Sequence, residues 1–369
     1  MRPTAGGYRV AVVGASSLLG KELLTALEER RFPIWQLIKF GAADEESDLP
    51  IVDLLEYSQE AVASQDVDER ELDFAFLAAR LQADSDEPLF LRRARNGATP
   101  DSSSVVSHCR IIDMSEALAE APDKVLTVPF LDHGSTTSAG HVGPNAGAVT
   151  KIFVSAHPAA ILISSLLLRL AARFRLERAV AQVFVPASER GARGIEELQK
   201  QTVSLLSFQK VPQTVFGAQL AFNLLPRLNQ GRPGARVIRA DALADLENRL
   251  RGQLREYLSE RAPVPALSVF QTAVFYSVAV SLYVELSDRA APEAVVEALE
   301  GAPIRARRIS QPAPSQVEVT GSDDIVVDTI AADADHPRGI WLWAVADNLR
   351  LASRNAIDIA EGLRGAVAK

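Results

Sequence analysis

The sequence predicts an α/β protein, built from a Rossmann-type doubly wound parallel sheet domain and an α+β domain. Three observations carry this reading. Short β-branched runs alternate with helical stretches from Tyr8 to Met114, the pattern of a parallel sheet with crossover helices. A glycine-bearing turn, Gly14 to Gly20, joins the first strand to the first helix. Beyond residue 175 strands dominate. A length of 369 residues suits two domains. The boundaries read as 1–150 for the nucleotide-binding domain, joined by a C-terminal helix 348–369, and 151–347 for the second.

Each element has its own signal. Tyr8 to Val13 (YRVAVV) is a short strand broken by Gly14, and Leu18 to Arg30 carries apolar residues at helical spacing. Gln36 to Phe40, Leu72 to Ala79 and Arg110 to Met114 read as further strands, with a helix at Glu87 to Arg95. Residues 120–150 are rich in Gly, Ser, Thr and Pro, as a crossover would be. A β-rich run, KIFV, then leads through SAHP into a helix read as Ile161 to Phe174. Ala179 to Val185 and Gly339 to Ala346 read as strands. Ala266 to Leu286 reads as two strands joined end to end or by a tight turn. Arg236 to Arg261 reads as a charged, solvated helix, residues 310–324 as a loop, and Asn348 to Val367 as a final helix.

Composition excludes several function classes. Apolar residues make up 47% and charged residues 23%, with a net charge of −8, so a nucleic acid or an anionic membrane is a poor partner. The longest apolar run, Ala159 to Leu168, is too short to span a bilayer. MRPTAGGYRV leads into a strand rather than a signal segment, and the cytoplasm is the expected compartment. A single cysteine, Cys109, rules out an internal disulfide framework and a cysteine zinc site. His133, His141 and His336 show no metal-ligand spacing, so no metal is expected.

The turn Gly14-Ala15-Ser16-Ser17-Leu18-Leu19-Gly20 is the candidate cofactor site. Glycines there permit a tight turn and close helix packing, and a helix N-terminus favours a pyrophosphate. Ser17 replaces the middle glycine, and its side chain is expected to crowd a pyrophosphate. The turn reads equally as one kept for packing alone. After the second strand, Glu45, Glu46 and Asp48 read either as an acidic solvated loop or as a ribose acceptor, favouring NAD over NADP.

Beyond these signals the chain resembles the aspartate-semialdehyde dehydrogenase family along nearly its whole length. The resemblance rests on VAVVGASSLLGKELLTALEERRFP, IIDMSEAL, LTVPFLD, RGIEEL, FGAQLAFNLLPRL, TAVFYS and WAVADNLR, in that order. It implies an N-terminal nucleotide-binding domain, an α+β domain that forms a homodimer, and a last helix returning to the first domain. It also implies Asn348 and Leu349 near a nicotinamide, and NADP-dependent acyl-enzyme chemistry on a cysteine. The tempting GPNA at Gly143 to Ala146 fails the family's spacing to Gly194; Pro158 stands at the nucleophile position instead. Proline supplies neither nucleophile nor N–H. By the same resemblance Val278 replaces the acid/base histidine and Gln271 the substrate arginine. Ala119 replaces the phosphate arginine, and Val185 the glutamine near the thiol. The implied protein resembles a cysteine-less paralogue without dehydrogenase activity, whose role is binding a nucleotide, a small molecule or a protein partner. The alternative is a nicotinamide-dependent oxidoreductase with a reassigned mechanism. The remaining candidates are weak. Asp101 to Ser104 (DSSS) resembles a phosphate cradle but reads as a polar loop. Cys109 follows it in an insertion, 101–109, and His108 beside the thiol points away from it. His157 reads as a satisfied turn residue, or as a base or anion ligand.

Overall fold

A computed structural model describes residues 7–40, 72–79, 109–121, 124–132, 152–228, 243–307 and 312–367. The helix at 87–95, the acidic residues Glu45, Glu46 and Asp48, most of 120–150, the 101–108 segment, His133 and His141 lie outside the described residues. The chain divides into two compact units, residues 1–156 with 352–369, and residues 157–351.

The first unit is a parallel six-stranded sheet. It comprises β1 (Tyr8–Val13), β2 (Ile34–Phe40), β3 (Phe74–Leu77), β4 (Arg110–Asp113), β5 (Lys124–Thr127) and β6 (Ile152–Ser155). Their order is β2-β1-β3-β4-β6-β5. Strands such as β3 and β4 are buried along their whole length, as a sheet covered on both faces requires. Helix α1 (Leu18–Glu29) buries Leu23, Ala26 and Leu27 against it; a short helix, α2 (Pro129–Asp132), follows β5. The core joins Val10, Val12, Phe74, Phe76, Ile112 and Phe153 to residues from the far end of the sequence, Ala356, Ile357, Ile359, Ala360 and Leu363. Arg30 holds that last stretch through Asp358 and Glu361, at 2.9 and 2.6 Å.

The second unit carries a mixed seven-stranded sheet. Its strands are β7 (Leu176–Val185), β8 (Leu224–Leu225), β9 (Ala266–Thr272), β10 (Val278–Leu286), β11 (Ile304–Ala306), β12 (Ile325–Ala332) and β13 (Gly339–Ala346). The order is β11-β12-β13-β10-β7-β9-β8. Its helices are α3 (Pro158–Ala171), α4 (Gly191–Leu206), α5 (Leu243–Leu258), α6 (Pro292–Leu299) and the short α7 (Gln316–Val319); α8 (Asn348–Val367) starts in this unit and continues into the first. Alternation sorts the sheet's faces. Val280, Leu282 and Val284 are buried, while Tyr283 meets Trp341 across the β10–β13 pair in a tilted ring contact, 5.0 Å between centroids.

Several sequence expectations need correction. Helix α3 begins at Pro158, not Ile161, because His157 caps it and proline at the first helical position has no N–H to waste; it ends at Ala171, not Phe174. The run 266–286 makes no tight turn. Strands β9 and β10 lie on opposite sides of β7, so residues 273–277 cross over its end. The 310–324 loop contains α7, capped by the Ser315 hydroxyl. Strand β12 and helices α4 and α6 were not anticipated as elements.

The glycine turn is set by steric contact. Gly14 adopts φ +78, and a Cβ there would sit 2.5 Å from Ala79 Cβ. A Cβ on Gly20 would sit 2.1 Å from the Gly14 carbonyl oxygen. Close approach of α1 to β1 therefore demands both glycines. Gly20→Ala should destabilise the first unit by about 2 kcal/mol or more, read as an earlier urea transition in a probe confined to that unit. An unchanged midpoint would show that α1 can move away at no cost.

Candidate functional site

At the start of α1 the Ser17 hydroxyl accepts from Gly20 N at 2.9 Å and donates to the Ala78 carbonyl at 3.3 Å. This corrects the expected crowding: Ser17 is 5% exposed, and its side chain serves as the helix cap inside the fold. The first turn of α1 carries no acidic side chain, so its positive end stays uncompensated from within the helix. Within the turn the Gly14 and Ala15 N–H groups donate to the Phe40 carbonyl at 2.9 and 3.0 Å, and Ser17 N donates to the Gly14 carbonyl at 3.0 Å. The next turn in the same unit, IIDMSEAL, is organised by Asp113. Its buried carboxylate accepts from Ser115 N, Ser115 Oγ and Leu118 N at 2.7 to 2.9 Å. Burial raises this carboxyl, against the pull of those bonds. Cys109 is buried, as an ordinary core thiol is, and His336 is exposed. Among the described residues no group of side chains could hold a metal ion.

The second unit gathers its candidates around the end of β7. After Val185 the chain enters a 3-10 turn, Ala187–Arg190, whose Ala187 and Ser188 N–H groups donate to the Val274 and Phe275 carbonyls at 2.7 and 2.9 Å. The crossing segment 273–277 is thereby fixed over the strand end. Its last residue, Ser277, is fully buried at φ +73, a left-handed conformation that costs a non-glycine residue about 1–2 kcal/mol. Three side chains hold it there. Ser277 N donates to Asn348 Oδ1 at 3.0 Å, Ser277 Oγ meets Thr320 Oγ1 at 3.0 Å, and Gln316 Nε2 donates to the Ser277 carbonyl. Asn348 Oδ1 also accepts from Ser188 Oγ at 3.2 Å. Asp347, unflagged in the sequence, caps α8 by accepting from Leu349 N and Arg350 N, and its other oxygen takes Gly321 N.

The positions singled out by resemblance sit on the same elements. Val185 and Gln271 face each other across the β7–β9 pair, where Gln271 Nε2 donates to the Val185 carbonyl at 3.1 Å. Gln271 is fully buried, and its Oε1 has no hydrogen-bond partner among the described residues. Val278 begins β10 and is 1% exposed. Pro158 opens α3 behind His157. The His157 main-chain N–H donates to Gln253 Oε1 at 2.8 Å, its Nδ1 accepts from Ala159 N at 3.1 Å, and its Nε2 lies 2.9 Å from Glu189 Oε1. With Nδ1 an acceptor, Nε2 carries the proton and donates to the carboxylate. This corrects the base or anion-ligand alternative for His157: both ring nitrogens are occupied within the fold. Burial pushes the Glu189 carboxyl up, yet the hydrogen bond from His157 and then the Arg190 and Arg249 charges hold it below the ordinary value. Asn348 and Leu349 belong to this unit, the glycine turn to the first.

Two substitutions probe these contacts. Asn348→Ala leaves Ser277 N and Ser188 Oγ without their buried acceptor and should cost about 2–3 kcal/mol in urea unfolding. His157→Ala should cost about 2 kcal/mol at neutral pH, while His157→Asn, which can still cap, should cost about half as much. Glu189 ionises below its unfolded-state value. Its contribution is complete above that value and disappears as pH falls through the folded one. His157→Ala should flatten this acid-side loss, and an unaltered stability–pH curve would exclude the pairing.

Comparison with known proteins now bears on the fold and on this unit. The family model for the semialdehyde dehydrogenase dimerisation domain matches residues 167–351, half of the chain. Aspartate-semialdehyde dehydrogenase of Rickettsia bellii is 28% identical over 361 residues, covering 96% of this chain and 97% of the relative. A USG-1 protein homolog of Pseudomonas aeruginosa is 25% identical, covering 95% and 96%. Among solved structures, aspartate semialdehyde dehydrogenase II of Vibrio cholerae superposes with a TM-score of 0.74 at 23% identity, over 97% of this chain and 98% of that one. The Candida albicans enzyme solved with NADP gives 0.60 at 14% identity, over 98% and 99%. The two-sheet architecture and the matched second unit lead to one conclusion: the chain belongs to the semialdehyde dehydrogenase family, with the fold of the aspartate-semialdehyde dehydrogenases.

Proposed function

We propose that this chain is a non-catalytic member of its family, a homodimer that acts by binding rather than by acyl transfer. The observation that carries the reading is the set of residues at the reactive positions: Pro158 for the nucleophile, Val278 for the acid/base and Gln271 for the substrate arginine. A thiol route needs a thiolate, a proton carrier and a carboxylate clamp, and these three side chains supply none. The surroundings support the reading. His157 is spent on capping and on Glu189, and Cys109 is buried.

The domain that binds is 1–150 with the helix 348–369, and the domain that dimerises is 151–347. The turn Gly14–Gly20 would hold a dinucleotide by its pyrophosphate, with NAD favoured over NADP by Glu45, Glu46 and Asp48. Bound there, a nicotinamide supplies hydride acceptor chemistry; this chain's own part is to hold and orient it. A second reading, non-covalent hydride transfer by a reassigned mechanism, draws on the glycine turn, which keeps both outer glycines. A protein partner, including an active relative, is the third kind of ligand the scaffold could serve. Among the described residues no helix is long and apolar enough to cross a membrane.

The test has two arms. With aspartate semialdehyde and phosphate, reduction of NAD or NADP should not exceed a protein-free control; any excess sinks the non-catalytic reading. In calorimetric titration, saturable binding with NAD tighter than NADP is expected. Silence at millimolar concentrations of both would remove the nucleotide role and leave a protein partner.

A further inference from the structure

A cleft of about 710 Å³ opens in the second unit, where the chain leaves α3 for β7 and where it leaves α5. Three arginines line it from two separate segments. Arg173 and Arg175 lie between α3 and β7, and Arg261 follows α5. Among the described residues Glu260 is the one carboxylate on the lining, and Phe174 and Pro263 add apolar wall. Two of the arginines are lightly engaged. Arg173 Nη1 lies 3.8 Å from Glu297, and Arg175 Nε lies 3.3 Å from Glu177; the two arginine side chains are 57% and 82% exposed. Exposed pairs of this length contribute little and exchange readily. Arg261 is held more firmly, for its Nη2 donates to the Tyr257 carbonyl at 2.6 Å. That bond anchors a fork that has five N–H donors in all. Compensation of the helix ends does not account for Arg173 and Arg175, because α3 and α5 each carry a basic residue within the last turn, Arg169 and Arg255.

The chain as a whole has a net charge of −8, yet this cleft sets three arginines against one glutamate. Such a local excess draws anions. We propose that the cleft binds a small anion with two or more negative charges, a polyphosphate or a polycarboxylate. Guanidinium forks match the paired oxygens of both headgroups. One anchored arginine fixes the anion's position, and two exposed ones close on it. The apolar wall at Phe174 and Pro263 lowers the local dielectric and strengthens each contact. Glu260 opposes the anion and limits the affinity. The volume is that of an ordinary small-molecule site. The glycine turn belongs to the other unit, and this site does not depend on it.

The experiment is calorimetric titration of the full chain with inorganic pyrophosphate and, separately, with citrate. Physiological ionic strength screens diffuse surface charge. Saturable binding of at least one anion is expected, and which one binds tells phosphate from carboxylate. The double variant R173Q/R175Q removes two exposed charges and should weaken binding about 10-fold or more, with its far-UV spectrum retained. Glu260→Gln should tighten binding about threefold or more. Arg178→Gln, 82% exposed on β7 and outside the lining, should bind as the wild type does. Silence of the wild type toward both anions at millimolar concentrations overturns the proposal. So does a double variant with wild-type affinity, an equal loss in Arg178→Gln, or a Glu260→Gln affinity no higher than that of the wild type.

Discussion

One carboxamide oxygen organises the working end of the second unit. Asn348 Oδ1 accepts from the backbone of Ser277 and from the hydroxyl of Ser188. The first bond fixes a left-handed residue where the chain passes over β7; the second fixes the 3-10 turn that leads into α4. Neither donor reaches water, so the oxygen offsets two desolvation penalties at once. Gln271, Val278 and Val185 lie on the strands that this junction closes, and their placement depends on it. Asp347 beside it caps α8 and takes Gly321 N, which extends the same junction to the segment ahead of β12.

The side chains that shape these turns act either by excluded space or by hydrogen bonds. Gly14 and Gly20 stand where a side chain would collide with backbone or with Ala79. Glu197 and Gln201 stand where a whole loop depends on their acceptors. Val278 and Pro158 suit their local packing. Valine at 278 continues the buried face of β10, and proline at 158 suits the first position of a helix. Gln271 fits less well, for its Oε1 stays buried without a partner among the described residues.

The architecture was legible where side-chain pattern and local geometry agree. The strand-turn-helix from Tyr8 to Glu29 is written in β-branched residues, a positive-φ glycine and helical apolar spacing. The α/β class follows from repeating that unit. Strand β12 was missed because its apolar residues sit among aspartates and alanines and its partner β13 lies downstream. The start of α3 was misplaced because its cap is a histidine, whose capping depends on a ring nitrogen rather than on the usual short oxygen side chain. The Glu189 partnership could not be read at all: the two residues are far apart in sequence, and only the fold brings them to 2.9 Å. Phe208 and Phe222 carried no signal in the sequence, and the fold leaves both exposed at left-handed backbone angles.

Helix α8 also has a consequence for synthesis. The first unit is the first to be translated, yet its core includes Ala356, Ile357, Ile359, Ala360 and Leu363, which emerge only after the entire second unit. On the ribosome the early sheet waits with an uncovered apolar face, and the second unit, whose residues 157–351 are continuous, is the one able to close first. Order of emergence and order of completion are therefore opposite. During that interval the nascent chain presents the kind of surface that chaperones hold.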